Sequence, residues 1–412
     1  MDAAKVAGCF RDRTILITGS TGFLGKSGVK KLYLLVRAPD DAAAHNRVLQ
    51  LQEVVGQELF RTLREIHGDG FHSFIQEKVS PVARDIRLHS SQAKQLSEEI
   101  DIIVNGAAIT NFYERYDVAL ASNALGTMNV CQFAKQCARL KMLLHVSTAY
   151  VLTGEQEGLL PENLIQMGET PKPDRYLDIE AELELVSEVK ATLTAHSAAE
   201  DTSSQQLEKK AMKELGLNRA NNFGWPNVYV FTKAMGEMLR GSVREDLPVV
   251  IVRPSMTIDA LIVGYDEQTV PCFIGDRSGA IDAIPGDMVV NAAMVAMAAH
   301  YGEKTQIVYH VTSAHQNPLQ CYLLEESTYG YFFINPRHKK LLLFNRYPYF
   351  HAYMVLAYKT PLQLWGTTTG AAQGDGYTFN FDPNCINWRL YLFNVHIPAV
   401  LKISRGKKDG RA

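Results

Sequence analysis

Thr14 to Gly25 reads TILITGSTGFLG, a β-branched apolar run that ends in glycines three apart, Gly19, Gly22 and Gly25. A short apolar run with no polar alternation is the pattern of a strand buried on both faces of a parallel sheet. In the loop after it, Gly19 permits a tight turn, Gly22 lets backbone approach a pyrophosphate, and Gly25 lets a following helix pack close to the sheet. The N-terminus of that helix would face the phosphate charge. The stretch therefore predicts a dinucleotide loop, with Thr18, Gly19, Thr21, Gly22, Phe23, Leu24 and Gly25 around the cofactor.

Outward from this loop, strand-like runs alternate with helical ones. KLYLLVR ends at Arg37, KVSPVARDI surrounds Val79, DIIVNGAA starts at Asp101 and MLLHVSTAYV at Met142. Helical patterns lie between them, as in ALGTMNVCQFAKQCARL. This order predicts an α/β fold, a Rossmann-like doubly wound parallel sheet. At the end of the second strand an NAD-binding chain usually offers an acid to the ribose 2′-hydroxyl; Arg37 is instead a cation suited to a 2′-phosphate, which selects NADPH. Asp85 and Ile86 end the third strand, where such folds contact adenine. Asn105 and Ala107 end the fourth, beside the expected cofactor ribose, although an amide at a strand end also serves as a plain cap.

From about 152 to 222 the composition turns to Glu, Lys, Ala and Ser, which predicts a helical, solvent-facing insertion. The α/β pattern resumes with a helix from Val228 to Arg240, closed by Gly241, and a strand from Pro248. Asp287 reads as the N-cap of a helix from Met288 to His300. Beyond about Lys304 the chain becomes aromatic-rich. The expected organisation is a cofactor-binding and catalytic domain over 1–303 and a smaller domain over 304–412.

Tyr229 and Lys233 stand four apart within one helix, so their side chains share a face. A tyrosine hydroxyl titrates near 10 in solution, and an adjacent ammonium favours its phenolate, bringing it toward working pH for proton exchange with a substrate oxygen. Lys233 would also hold the nicotinamide ribose. Among 18 tyrosines this spacing is common by chance; the glycine loop upstream and a Ser–Thr pair ending the fifth strand make it specific. Thr148 is placed to hydrogen-bond the substrate oxygen, with Ser147 the alternative.

Composition narrows the partners. Lys and Arg number 42 against 44 Asp and Glu, for a net charge of −2, so nucleic acid is a poor match. The six cysteines include no CxxC pair and the histidines no metal-ligand spacing, so no metal site is expected. The N-terminus lacks the apolar core of a secretory signal, and LLLFNRYPYFHAYMVLAYK is interrupted by Asn345, Arg346, Pro348 and His351, so no membrane span is expected. The reading is an intracellular protein. Peripheral membrane contact through that aromatic segment, and self-association into a homo-oligomer, stay open.

TGSTGFLGK, KKLYLLVRA, VNGAAITNFYERYDVALASNALGTMNVCQFAKQC, LLHVSTAYV, YVFTKAMGEML, PVVIVRPS, IDAIPGDMVVNA and NWRLYLFNVHIP together resemble the plant-type alcohol-forming fatty acyl-CoA reductases, within the extended short-chain dehydrogenase/reductases. The resemblance spans nearly the whole chain. It implies NADPH-dependent reduction of a long-chain acyl-CoA, through an aldehyde, to a primary alcohol for wax, suberin or pollen-wall lipid. It also implies Tyr229 and Thr148 at the reacting oxygen, and a place in the cytoplasm or on the endoplasmic reticulum surface.

The chain departs from that family where only Lys26 to Lys30 separate Gly25 from KLYLLVR. A parallel crossover needs about a dozen residues including its helix, and five extended residues span at most roughly 18 Å. Further shortenings follow Arg253-Pro254-Ser255 and fall between about 317 and 352. A catalytically impaired acyl-CoA-binding or regulatory homologue is therefore an alternative, and a nucleotide-sugar epimerase or dehydratase is another use of the same fold.

Overall fold

The structure, a computed structural model, describes residues 2–19, 29–36, 38–50, 61–83, 91–153, 160–196, 202–240, 248–267, 272–274, 276–334, 342–344, 346, 349 and 382–409. The expected α/β architecture is present. Seven strands, β1 (Thr14–Thr18), β2 (Lys31–Val36), β3 (Val79–Ala83), β4 (Ile102–Asn105), β5 (Met142–Val146), β6 (Val249–Pro254) and β7 (Gln306–Val311), form one sheet in the order β3-β2-β1-β4-β5-β6-β7. The pairs from β3 through β6 are all parallel. Every residue of β1 and of β4 is buried, as their unbroken apolar runs require.

Because β1 pairs with both β2 and β4, the winding reverses there, and the crevice beyond their carboxyl ends is where open α/β sheets bind ligands. β1 and β2 run in register from Thr14↔Lys31, with residues 19–30 joining them. Of that connection 20–28 lie outside the described residues, as do Arg37, Asp85 and Ile86.

At the β3 edge the outward donors are all accounted for. Val79 N–H bonds to Ile75 O, Pro81 has no N–H, and Ala83 N–H donates to Asp41 Oδ1 at 2.9 Å.

The chain divides into two compact units, Met1–Pro254 with Ala292–His310, and Ser255–Asn291 with Val311–Ala412. In the first, Leu16, Ile103, Leu143 and Ile251 pack with Phe133 and Leu96 in one core. A second core joins Tyr116, Phe231 and Met235 to Val186, Met212, Ala220 and Phe223 from helices Ile179–His196 and Thr202–Phe223. The insertion is thus helical over these two spans, while residues 160–178 are not. One face of its helices belongs to the core and only the other faces solvent, because a few apolar residues among many charges suffice for a buried stripe. Tyr116 O–H donates to Glu182 Oε2 at 2.7 Å, and Arg219 Nε to Glu182 Oε1 at 3.0 Å, satisfying a buried carboxylate.

In the second unit, Ala280–Ile281 pairs antiparallel with Leu319–Gln320, and Cys272–Ile274 parallel with Leu342–Phe344. Asn317 Nδ2 donates to the carbonyls of Pro383 and Ile386, and Trp388 Nε1 to Asn317 O at 2.9 Å, which fastens the C-terminal segment. The helix expected from Met288 begins at Gly286 and ends at Ala299, so Asp287 sits in its first turn rather than at the N-cap, still where a negative charge suits the helix dipole. Among the described residues no helix is long and apolar enough to cross a membrane.

Candidate active site

The carboxyl ends of β1, β4 and β5 and the first turns of helix Val228–Leu239 supply the site. Gly19 follows β1 with φ +75°, and a Cβ there would stand 2.6 Å from Ala107 N and from Gly106 C. Only glycine allows that approach, for both steric and conformational reasons. Thr18 Oγ1 donates to Asn105 Oδ1 at 2.8 Å and accepts from Ala107 N at 3.1 Å, tying the ends of β1 and β4 together. Thr18, Gly19, Asn105 and Ala107, expected from sequence around a cofactor, are therefore brought to one place. Thr21, Gly22, Phe23, Leu24, Gly25, Arg37, Asp85 and Ile86 lie outside the described residues.

Asn105 also donates through Nδ2 to His145 Nδ1 at 3.1 Å. That bond makes Nδ1 the acceptor and places the ring proton on Nε2. Burial, then the charges of Lys233, Arg240 and Arg253, hold His145 well below its ordinary titration range, so it is neutral.

At the end of β5, Ser147 N–H donates to Val252 O at 2.7 Å, while its buried Oγ has no partner among the described residues. The next residue, Thr148, is buried, and its Oγ1 donates to Pro254 O at 3.4 Å. Asn227 caps the helix through Oδ1 to Val230 N at 2.9 Å, which fixes the turn that carries Tyr229. The Phe112 ring stacks on Tyr229 with centroids 5.9 Å apart.

One turn on, Lys233 is buried and donates to Val146 O at 2.7 Å. Burial pulls it down to about 8, with the Glu237 carboxylate acting in the opposite direction. Burial pushes Tyr229 up to about 12, opposed by the Thr148 hydrogen bond. The lowering of Tyr229 expected from an adjacent ammonium is absent in this arrangement, because Lys233 is committed to the β5 carbonyl and desolvation of the phenolate dominates.

Four residues around the site escape a reading by motif. Asn123 is fully buried; its Oδ1 accepts from Ile109 N at 2.8 Å, and Nδ2 donates to Ile109 O and Thr232 Oγ1, each at 3.0 Å. It pins the segment after β4 to the Tyr229 helix. Its turn, Leu120–Leu125, is widened into a π-helix, a distortion often found at functional sites. Gly236 permits the approach, since a Cβ there would lie 2.4 Å from Asn123 O. Glu237 and Arg253, both fully buried, form an ion pair with Nε to Oε1 at 3.0 Å and Nη2 to Oε2 at 2.7 Å. The only sequence signal for Glu237 is its i+4 spacing from Lys233.

The family model NAD_binding_4, described as "Male sterility protein", matches residues 17–293. Fatty acyl-CoA reductase 1 of Arabidopsis thaliana is 37% identical over 485 aligned positions, covering 95% of this chain and 97% of that protein. Alcohol-forming fatty acyl-CoA reductase of Simmondsia chinensis is 40% identical over 397, covering 86% and 79%. Because 485 positions exceed the 412 residues of the chain, the first of these alignments contains gaps in it, in keeping with the internal shortenings. Among solved structures, the terminal R domain of the myxalamid biosynthetic pathway matches with a TM-score of 0.52 at 20% identity, covering 87% of this chain and 80% of that one. This likeness shows the fold.

Proposed function

The chain belongs to the plant-type fatty acyl-CoA reductases, the male sterility family, and from that premise we propose that it reduces long-chain acyl-CoA to a primary alcohol with NADPH. The observation that carries the reading is Tyr229 with Lys233 one turn further along the same helix and the buried Thr148 just past the end of β5, beside the switch point of the sheet.

The described residues fit a dinucleotide: Gly19 has the positive φ of a tight glycine turn at the carboxyl end of β1, and the buried Ser147 hydroxyl lacks a partner among the described residues. Arg37 in the sequence supports the 2′-phosphate form. Thr18, Gly19, Asn105 and Ala107 would hold the dinucleotide, which when bound would supply the hydride for the thioester carbonyl carbon. Tyr229 gives its O–H proton to the carbonyl oxygen as charge develops there, and Thr148 holds that oxygen by a hydrogen bond. As the hemithioacetal collapses its hydroxyl proton returns to Tyr229 and CoA leaves as the thiolate, which takes a proton from solvent; the aldehyde then meets the same two hydroxyls for a second reduction, for which a second NADPH would be needed. Lys233 orients the ribose and restores charge balance beside Tyr229.

Wax, suberin or pollen-wall lipid is the destination that this family membership favours, with the enzyme held at the cytoplasmic face of the endoplasmic reticulum. The shortened connection over residues 19–30 motivates one other reading, an acyl-CoA-binding homologue with impaired catalysis. Incubation of the purified chain with NADPH and C16 or C18 acyl-CoA, followed by gas chromatography, decides between them. Fatty alcohol lost in Tyr229→Phe supports the reductase. A folded chain that makes none supports the impaired homologue.

A further inference from the structure

Lys233 lies in a pocket with more buried cations than anions. From its own helix come Glu237 and Arg240, from β5 His145, from β6 Arg253, and from helix Gly126–Gln136 Cys131; all are buried. Cys131 is pushed up to about 12 by burial and is a neutral thiol, and His145 is neutral as described. Arg240 donates through Nη1 to Gln306 Oε1 at 2.5 Å, a neutral partner. That leaves three cationic side chains and, among the described residues of this pocket, one carboxylate, Glu237.

The carboxylate is not placed at random. Glu237 shares the helix face of Tyr229 and Lys233, a turn beyond the lysine. Arg253 grips both of its oxygens, and is itself fixed by Nη2 to Asn163 O at 2.9 Å and by Nη1 at 3.2 Å from His310 Nε2. Two parallel bonds from a planar guanidinium set the direction of the carboxylate as well as its charge. Among the described residues, the direct bond of Lys233 goes to the neutral Val146 carbonyl, with no direct ion pair. A buried ammonium held only in that way would tend to shed its proton.

We propose that Glu237, clamped by Arg253, is a positioning residue for Lys233: its fixed negative charge keeps the lysine in the ammonium form beside Tyr229, while the clamp prevents it from capturing the lysine in a direct ion pair. Lys233 stays charged while its bond remains with the Val146 carbonyl rather than with Glu237. This inference rests on the reading of Tyr229 and Lys233 as the catalytic pair, but its test need not.

The test follows Lys233 through its titration by NMR of protein labelled at lysine ¹³Cε, the resonance being assigned from its absence in Lys233→Arg. Glu237→Gln preserves shape and removes charge. Its expected effect is a fall in the Lys233 midpoint by about one pH unit, a tenfold change in the proton equilibrium. In an active enzyme the basic limb of the kcat profile falls with it. An unmoved midpoint overturns the proposal, even if activity drops uniformly across pH, which is what a merely structural role gives. Should Glu237→Gln fail to fold, Glu237→Asp retracts the carboxylate by one methylene: a smaller downward shift supports the proposal and none overturns it. A shifted midpoint in a chain that makes no alcohol leaves the inference standing and removes the reductase reading. Alcohol formation that depends on Tyr229, with an unmoved midpoint, does the reverse.

Discussion

Tyr229 and Lys233 occupy one helix face, and burial acts on them in opposite directions, raising the phenol to about 12 and lowering the ammonium to about 8. Each shift moves its group toward the neutral form. Removing the phenol in Tyr229→Phe is expected to lower alcohol formation by about 10² to 10⁴-fold, the usual worth of a positioned acid, with the fold unchanged by circular dichroism. The lysine has a consequence for stability. Between about pH 8 and its unfolded value of 10.5 the unfolded chain holds a proton that the folded chain has lost, so this group makes stability rise with pH in that window. The full shift corresponds to something on the order of 3 kcal/mol. Urea unfolding of Lys233→Met beside the parent at both ends of the window should show the gap between them narrowing as pH rises. The i+4 spacing makes this pair legible in sequence. Asn123 was not legible: its role lies in hydrogen bonds to the backbone of Ile109 and to Thr232, 109 residues further along the chain, and nothing local marks it.

Among elements, the strands were readable because a parallel sheet buries both faces and leaves no alternation to confuse, as TILIT and IIVN show. The insertion was read as solvent-facing because Val186, Met212 and Ala220 are thinly spread among charges, and only the fold reveals that they meet Tyr116 and Phe231. Helix Val228–Leu239 depends on Gly236 for its closeness to Asn123. Gly236→Ala places a Cβ 2.4 Å from a backbone oxygen and should cost about 1–3 kcal/mol in chemical denaturation, since backbone cannot swing aside as a side chain does. Gly19→Ala combines positive φ with a 2.6 Å clash against the end of β4. It should weaken NADPH binding by tenfold or more, read by quenching of protein fluorescence.

On the scale of the whole molecule, the sequence leaves only residues 19–30 to join β1 to β2, where the family resemblance implies a full crossover helix. Replacing residues 26–30 with a full helical crossover is expected to tighten NADPH binding by about tenfold, by restoring a helix N-terminus to face the pyrophosphate. Beyond this loop, the sheet ends at β3, and the arrangement at Val79, Pro81 and Ala83 governs how molecules behave toward one another. A strand with open amide donors is a template on which a neighbouring chain can add itself. Here one donor is bonded to a helix carbonyl, one is deleted by proline and one is bonded to Asp41. Among the described residues of β3, the sheet therefore offers no amide at this border to recruit a further strand. Asp41→Ala together with Pro81→Ala would reopen two positions, and light scattering of concentrated solutions should then register more self-association than in the parent chain.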